Sequence, residues 1–217
     1  MTRPKSIFMT GGTGLVGSRL AAHMLVGGHS LVLLVRRKGR TSAQMRVKRI
    51  LQEEIQNKRR LEDALKRIRV IEGDVSQRFF GLPRTEVRGL LSVVDHIFHC
   101  AASVLLGSDQ PDLLWEQNVD GTRYTLEAAQ EAKHARLHHI SPAYVAGRNS
   151  RSVVKEDNIE RPKEFNNFYE ETKFEGEQVV RRFQQTHRFP VTIYRPSIIV
   201  GDSRTGRATA PSTASSS

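Results

Sequence analysis

At 217 residues the chain has room for one well-buried domain and not for two of ordinary size. A hydrophobic content of 38% is that of a soluble globular protein, no apolar run approaches the roughly 18 residues that a membrane span needs, and a single cysteine excludes an internal disulfide and a cysteine-built zinc site. The net charge of +11 would suggest a polyanion partner if it covered one face, but thirteen Lys/Arg against four Asp/Glu between Arg36 and Arg69 hold most of it. No nucleic-acid recognition motif accompanies that segment, which reads as a solvated helix face. Neither nucleic acid nor a metal ion is expected as a partner. The first residues lead straight into a strand-like stretch, leaving no room for a secretory signal, so a cytoplasmic location is expected.

In chain order the pattern predicts a strand over 6–10, a helix from Leu15 to Val26, a strand over 30–36 and one long amphipathic helix from Thr41 to Ile68. A strand over 68–75, a short helix around Arg84 to Leu91, a strand over 94–102 and a helix from Asp112 to Lys133 follow. The series closes with a strand over 137–145, a helix from Asn167 to His187 and a strand over 191–196. Strands alternating with helices build βαβ units, and continuously apolar strands belong in a sheet covered on both faces. The expected fold class is therefore α/β, a doubly wound parallel sheet of the Rossmann type over residues 1–206. The Ala/Ser/Thr/Pro-rich stretch 207–217 lacks an apolar face and is expected to be a disordered low-complexity tail. Cys100, inside VVDHIFHCAA, reads as a small buried hydrophobe.

Five stretches carry chemistry. TGGTGLVG (10–17) lies between the first strand and the first helix, where Gly11, Gly14 and Gly17 permit a tight turn, close approach to a pyrophosphate and close helix packing. The second strand ends in Val35-Arg36-Arg37-Lys38 with no carboxylate before Glu53. A ribose 2′-hydroxyl would lack its acceptor there and a 2′-phosphate would find guanidinium groups, which favours NADP over NAD. Asp74, in GDV at the end of the third strand, is placed to accept from an adenine amino group or to cap its own turn. Ala101 and Ala102 end the fourth strand with side chains small enough for a cofactor to lie close. Tyr169 and Lys173 are four apart on a helix and share a face, so the ammonium is expected to lower the tyrosine pKa and make it a general acid/base.

With TGGTGLVG, LVRRKG, IEGDVS, FFGLP, DHIFHCAASV, NVDGT, ISPAYVAG, YEETK and IYRPSIIVGDSRTG together, the sequence resembles the extended short-chain dehydrogenase/reductases, the epimerase/dehydratase superfamily. Within it the likeness is greatest to the thioester reductase and fatty acyl-CoA reductase (male sterility) branch. The resemblance implies that Gly11, Thr13, Gly14, Leu15, Val16 and Gly17 hold the pyrophosphate, and that Arg36 and Arg46 grip the 2′-phosphate. It also implies that Asp74 and Val75 flank the adenine, and that Ala101, Ala102 and Pro196 lie along the cofactor. Tyr169 would protonate the oxyanion as hydride from NADPH reaches a CoA- or carrier-protein-bound thioester, giving an aldehyde or alcohol, and Lys173 would hold the nicotinamide ribose. Asn118 matches an asparagine that is structural or part of a proton path.

Two departures from the family pattern bear on activity. Pro142 stands where the family places a hydroxyl-bearing residue, and proline offers neither a hydroxyl nor an N–H. Ser141 could act in its place only if the strand end twists, because neighbouring strand residues face opposite ways. The family also continues past GDSRTG with a substrate-binding portion, which is expected to be missing here. The leading expectation is an NADPH-dependent thioester reductase. An epimerase/dehydratase-like enzyme and a catalytically weak NADP-binding sensor or fragment are the alternatives.

Overall fold

The structure is a computed structural model that describes residues 3–105, 110–148, 153–156, 160–199, 201 and 206. The expected tail 207–217 lies outside the described residues. β1 (Ser6–Thr10), β2 (Ser30–Val35), β3 (Ile68–Glu72), β4 (His96–His99), β5 (Arg136–Ile140) and β6 (Val191–Tyr194) form one parallel sheet in the order β3-β2-β1-β4-β5-β6. Around it lie α1 (Leu15–Val26), α2 (Ala43–Glu54), α3 (Lys58–Leu65), α4 (Arg84–Leu91), α5 (Pro111–Trp115), α6 (Gly121–Ala129) and α7 (Phe168–His187). This is the doubly wound Rossmann arrangement, and the strand order reverses between β1 and β4, where such sheets open a ligand crevice. Thr10 pairs with Leu34 on one side and His99 on the other, so the turns leaving β1, β2 and β4 emerge level with one another.

Alternate strand residues divide the core into two layers. Ile7, Met9, Leu31, Leu33 and Val35 pack with Ala21, Leu25, Val47 and Leu51 of α1 and α2. Phe8, Leu34, Ile97 and Leu137 pack on the other face with Val87, Leu126 and Val180 of α4, α6 and α7. Phe8 and Phe80 are fully buried with ring centroids 5.4 Å apart. No helix among the described residues is long and apolar enough to cross a membrane.

Several boundaries differ from the sequence expectation, among them β4, which is only His96–His99 of the expected 94–102, and β6, which ends at Tyr194. The helix expected over 41–68 is two: Ile55 leaves helical geometry (φ −114°, ψ 89°), and the Asn57 side chain accepts from Arg60 N to start α3. β3 ends at Glu72 because Asp74 N turns to the carbonyl of Phe80, and β5 ends at Ile140 because a single tight turn at Ala143–Ala146 follows Pro142. The helix expected over 112–133 carries a wider turn at Glu116–Asp120 between α5 and α6, a local loosening of the kind often found where a helix meets a site.

Candidate cofactor and active site

The chain leaves β1 at Gly11, whose φ of +69° and close approach to the next turn both demand glycine: a Cβ there would lie 2.4 Å from the backbone N of Ala101. At Gly17 a Cβ would lie 2.2 Å from the Gly11 carbonyl oxygen, so the first turn of α1 can rest on the loop only without a side chain. Gly14 caps α1 with no side-chain hydrogen bond, and the first turn carries no carboxylate. The amides at this helix end are thus left to receive an anion.

Two cavities of about 360 and 350 Å³ share Gly11, Gly14, Leu15, Cys100 and Ala102 and form one crevice above the switch between β1 and β4. Thr13, Arg36, Arg46, Asp74, Val75 and Ala101 line its first half; Val16, Gly17, Tyr169, Lys173 and Pro196 line the second. Thr10 shapes the junction, since its hydroxyl lies 2.8 Å from His99 Nδ1 and accepts from Ala101 N. In the first half Arg46 donates to the Arg36 carbonyl at 2.7 Å, and Arg36 donates to Gln117 Oε1 at 3.3 Å, so two guanidinium groups are held at the end of β2 beside Lys38. Asp74 lines the cavity, and its Oδ1 accepts from Ser76 N, which caps its own turn.

In the second half, Tyr169 and Lys173 are buried on one face of α7, and Lys173 Nζ donates to the Ile140 carbonyl at 3.1 Å. The expected lowering of the tyrosine pKa is not found. Burial, with Tyr144 and Glu170 nearby, pushes the phenol up to about 12, while burial brings Lys173 down to about 8. The i, i+4 spacing places the two groups on one face, but burial is the largest influence on each and neither is among the groups that shift the other. Burial also lifts the Cys100 thiol to about 12, so the free cysteine on this wall keeps its proton at neutral pH.

Ser141 requires a second correction. It is fully buried, its hydroxyl finds no hydrogen-bond partner among the described residues, and it does not line the crevice; Pro142 does. The strand alternation persists to its end, so the hydroxyl cannot turn into the site. Asn118 is tied to Ser103 N (2.7 Å), Ser103 O (3.1 Å) and the Thr172 hydroxyl (3.0 Å), which fastens the turn after β4 to α7. Several lining residues, among them Lys38, Tyr144 and Gln117, were given no role by the sequence reading. Lys38 was visible in the basic run after β2 and Tyr144 in ISPAYVAG, whereas Gln117 reaches the crevice only through the wide helical turn.

A family model described as male sterility protein, an NAD-binding family, matches residues 9–215. The chain belongs to this family. As a member of the male sterility family it is an NAD(P)-binding Rossmann domain, consistent with the glycine turn and the open helix end. The chain is 29% identical to human fatty acyl-CoA reductase 2 over 90% of its own length and 43% of the relative's. It is also 29% identical to the non-canonical nonribosomal peptide synthetase hkm10 of Aspergillus hancockii, over 92% of this chain and 20% of that protein. Among solved structures, the terminal R domain from the myxalamid PKS-NRPS biosynthetic pathway superposes with a TM-score of 0.84 at 29% identity, covering 96% of this chain and 53% of that one. The chain thus spans less than half of these two curated relatives and about half of that solved chain.

Proposed function

We propose that this chain is the cofactor-binding and catalytic portion of an NADPH-dependent reductase that acts on acyl groups held as thioesters on CoA or on a carrier protein. The observation that carries the reading is the single crevice that joins the glycine turn and paired arginines at one end to Tyr169 and Lys173 at the other. Kinship with a fatty acyl-CoA reductase and a peptide synthetase supports the thioester substrate. The exposed side chains of Val104, Ile198 and Ile199 on the same wall offer an apolar surface suited to an acyl chain.

The residues fit the dinucleotide: glycine at 11 and 17 lets the turn pack tightly on its own backbone, the first turn of α1 carries no side-chain cap and no carboxylate, and Arg36, Lys38 and Arg46 line the same cavity. When bound, NADPH supplies hydride to the acyl carbonyl carbon. Reduction of the thioester then needs one proton at the carbonyl oxygen and releases a thiol. Tyr169, whose raised pKa keeps its proton in place at neutral pH, is the donor at that oxygen. Lys173, anchored on the Ile140 carbonyl and still largely cationic at pH 7, holds the ribose side of the crevice and steadies the phenolate that remains. Pro142 favours a second reading, a domain that binds the cofactor with little turnover. Calorimetric NADPH binding together with NADPH oxidation over an acyl-CoA series tests both: binding with turnover supports the reductase, binding without turnover supports the second reading, and absence of binding refutes both.

A further inference from the structure

Resting on the reductase reading, we propose that Tyr144 supplies the second hydrogen bond to the substrate oxyanion, in place of the hydroxyl that Pro142 lacks. The turn at Ala143–Ala146 brings Tyr144 onto the same cavity wall as Pro142, Tyr169 and Lys173. The turn is firmly held. Ala143 N donates to Pro196 O and Gly147 N to Tyr144 O, both at 3.0 Å, Val145 is completely buried, and a Cβ on Gly147 would strike Pro162 and Glu164. Tyr144 itself is 39% exposed, so a side chain open to solvent and to the cavity is carried on a rigid base. It is near enough to Tyr169 to be one of the groups that raise that phenol's pKa.

The other hydroxyls near this wall are worse placed. Ser141 is fully buried and does not line the cavity, and neither does Ser103, whose backbone is held on both sides by Asn118. Ser197 lines the cavity beyond the end of β6 and is the alternative donor. Tyr144 keeps its proton throughout: it donates a hydrogen bond to the oxygen that becomes negative, while Tyr169 transfers its proton to that oxygen. Two phenols on one oxygen would restore the pair of donors that a tyrosine and a smaller hydroxyl otherwise make.

The test uses the full chain with NADPH and octanoyl-CoA, alongside binding of octyl trifluoromethyl ketone, whose hydrate mimics the oxyanion. Tyr144→Phe should lower kcat by about 10²-fold, the effect of one oxyanion donor, and leave NADPH affinity unchanged. The double variant Pro142→Thr, Tyr144→Phe should recover much of the loss by returning a hydroxyl to the strand end. Unchanged kcat in Tyr144→Phe, or the same loss in Ser197→Ala or Ser141→Ala instead, overturns the proposal. If the wild-type chain binds NADPH but reduces no thioester, the reductase reading fails and the ketone decides Tyr144 separately. In that case roughly tenfold weaker ketone binding by Tyr144→Phe, about 1.4 kcal/mol, supports its role, and equal or absent binding refutes it.

Discussion

Replacing Arg36 or Arg46 by alanine tests how the crevice chooses its cofactor. A hydrogen bond to a charged group contributes about 1.5–3 kcal/mol net, and solvent screening at this partly open site moves each arginine to the low end of that range. Each should therefore contribute about 1.4 kcal/mol toward a 2′-phosphate, a factor of ten in Kd. Arg46 also fixes the carbonyl of Arg36 at 2.7 Å, so its removal loosens both guanidinium groups and should weaken binding at least as much as Arg36→Ala. Isothermal titration with NADPH and NADH at two ionic strengths reads these terms directly. Wild type should bind NADPH at least about tenfold more tightly than NADH, with the preference shrinking as salt rises. Each variant should lose about tenfold for NADPH and almost nothing for NADH, which has no group for these side chains to grip. Equal wild-type affinities, or an Arg36→Ala protein that binds NADPH unchanged, would refute the assignment of this end of the crevice to a 2′-phosphate.

Gly17→Ala forces a Cβ to within 2.2 Å of the Gly11 carbonyl oxygen, and overpacking of this kind should cost about 1–3 kcal/mol, read as a lower Tm and weakened cofactor binding. Glu177 is fully buried, meeting Arg195 at 2.5 and 3.0 Å and Arg181 at 3.0 Å; Glu177→Gln strands two cations and should cost about 3–5 kcal/mol in chemical denaturation. Acid should destabilise the fold in two stages. Burial holds His99 down to about 3, His138 to about 4 and His139 well below 6.5, so each stays neutral when folded and takes up a proton on unfolding. Their contribution is complete above pH 6.5 and is lost as pH falls toward the folded values. Burial raises the Glu177 carboxyl, but its arginine partners outweigh this and leave it below 4.5, so its contribution is present above pH 4.5 and disappears beneath it. Denaturation midpoints that stay flat between pH 7 and pH 4 would contradict this account.

The fold was legible where its causes are local. Continuously apolar strands and the glycine turn announce a covered parallel sheet and a phosphate loop, because both follow from residue size and spacing along the chain. Boundaries were less legible, since what ends a strand is the turn that follows it rather than a change in composition: Asp74 N is taken by Phe80 O after β3, and a tight turn at Ala143–Ala146 follows β5. The break at Ile55 was hidden by a charged and apolar pattern that runs unchanged through both helices. At the site, the positions expected for the cofactor all line the crevice, while the expected lowering of the Tyr169 pKa gives way to a rise caused mainly by burial. Spacing on a helix tells which groups are neighbours. How much water they lose depends on the strands, turns and helices that close over them.

Pro142 shows how a change can reach the chemistry without disturbing the fold. In a parallel ladder successive N–H groups point to opposite neighbours, and the donors that tie this strand end to the β6 side are Ser141 N, to Tyr194 O at 2.8 Å, and Ala143 N, to Pro196 O at 3.0 Å. Proline falls between them, at the position whose N–H would point away from β6, and its φ of −81° suits the ring. It therefore removes no bond from that ladder, and the cofactor half of the crevice, built on the turns after β1 to β4, does not depend on it. Pro142→Thr should accordingly leave stability within about 0.5 kcal/mol of wild type and NADPH affinity unchanged, and should raise thioester turnover through an added hydroxyl on the catalytic wall. A variant that melts several degrees lower, or that binds NADPH differently, would show that the proline supports the fold and that binding and turnover are not separable at this strand end.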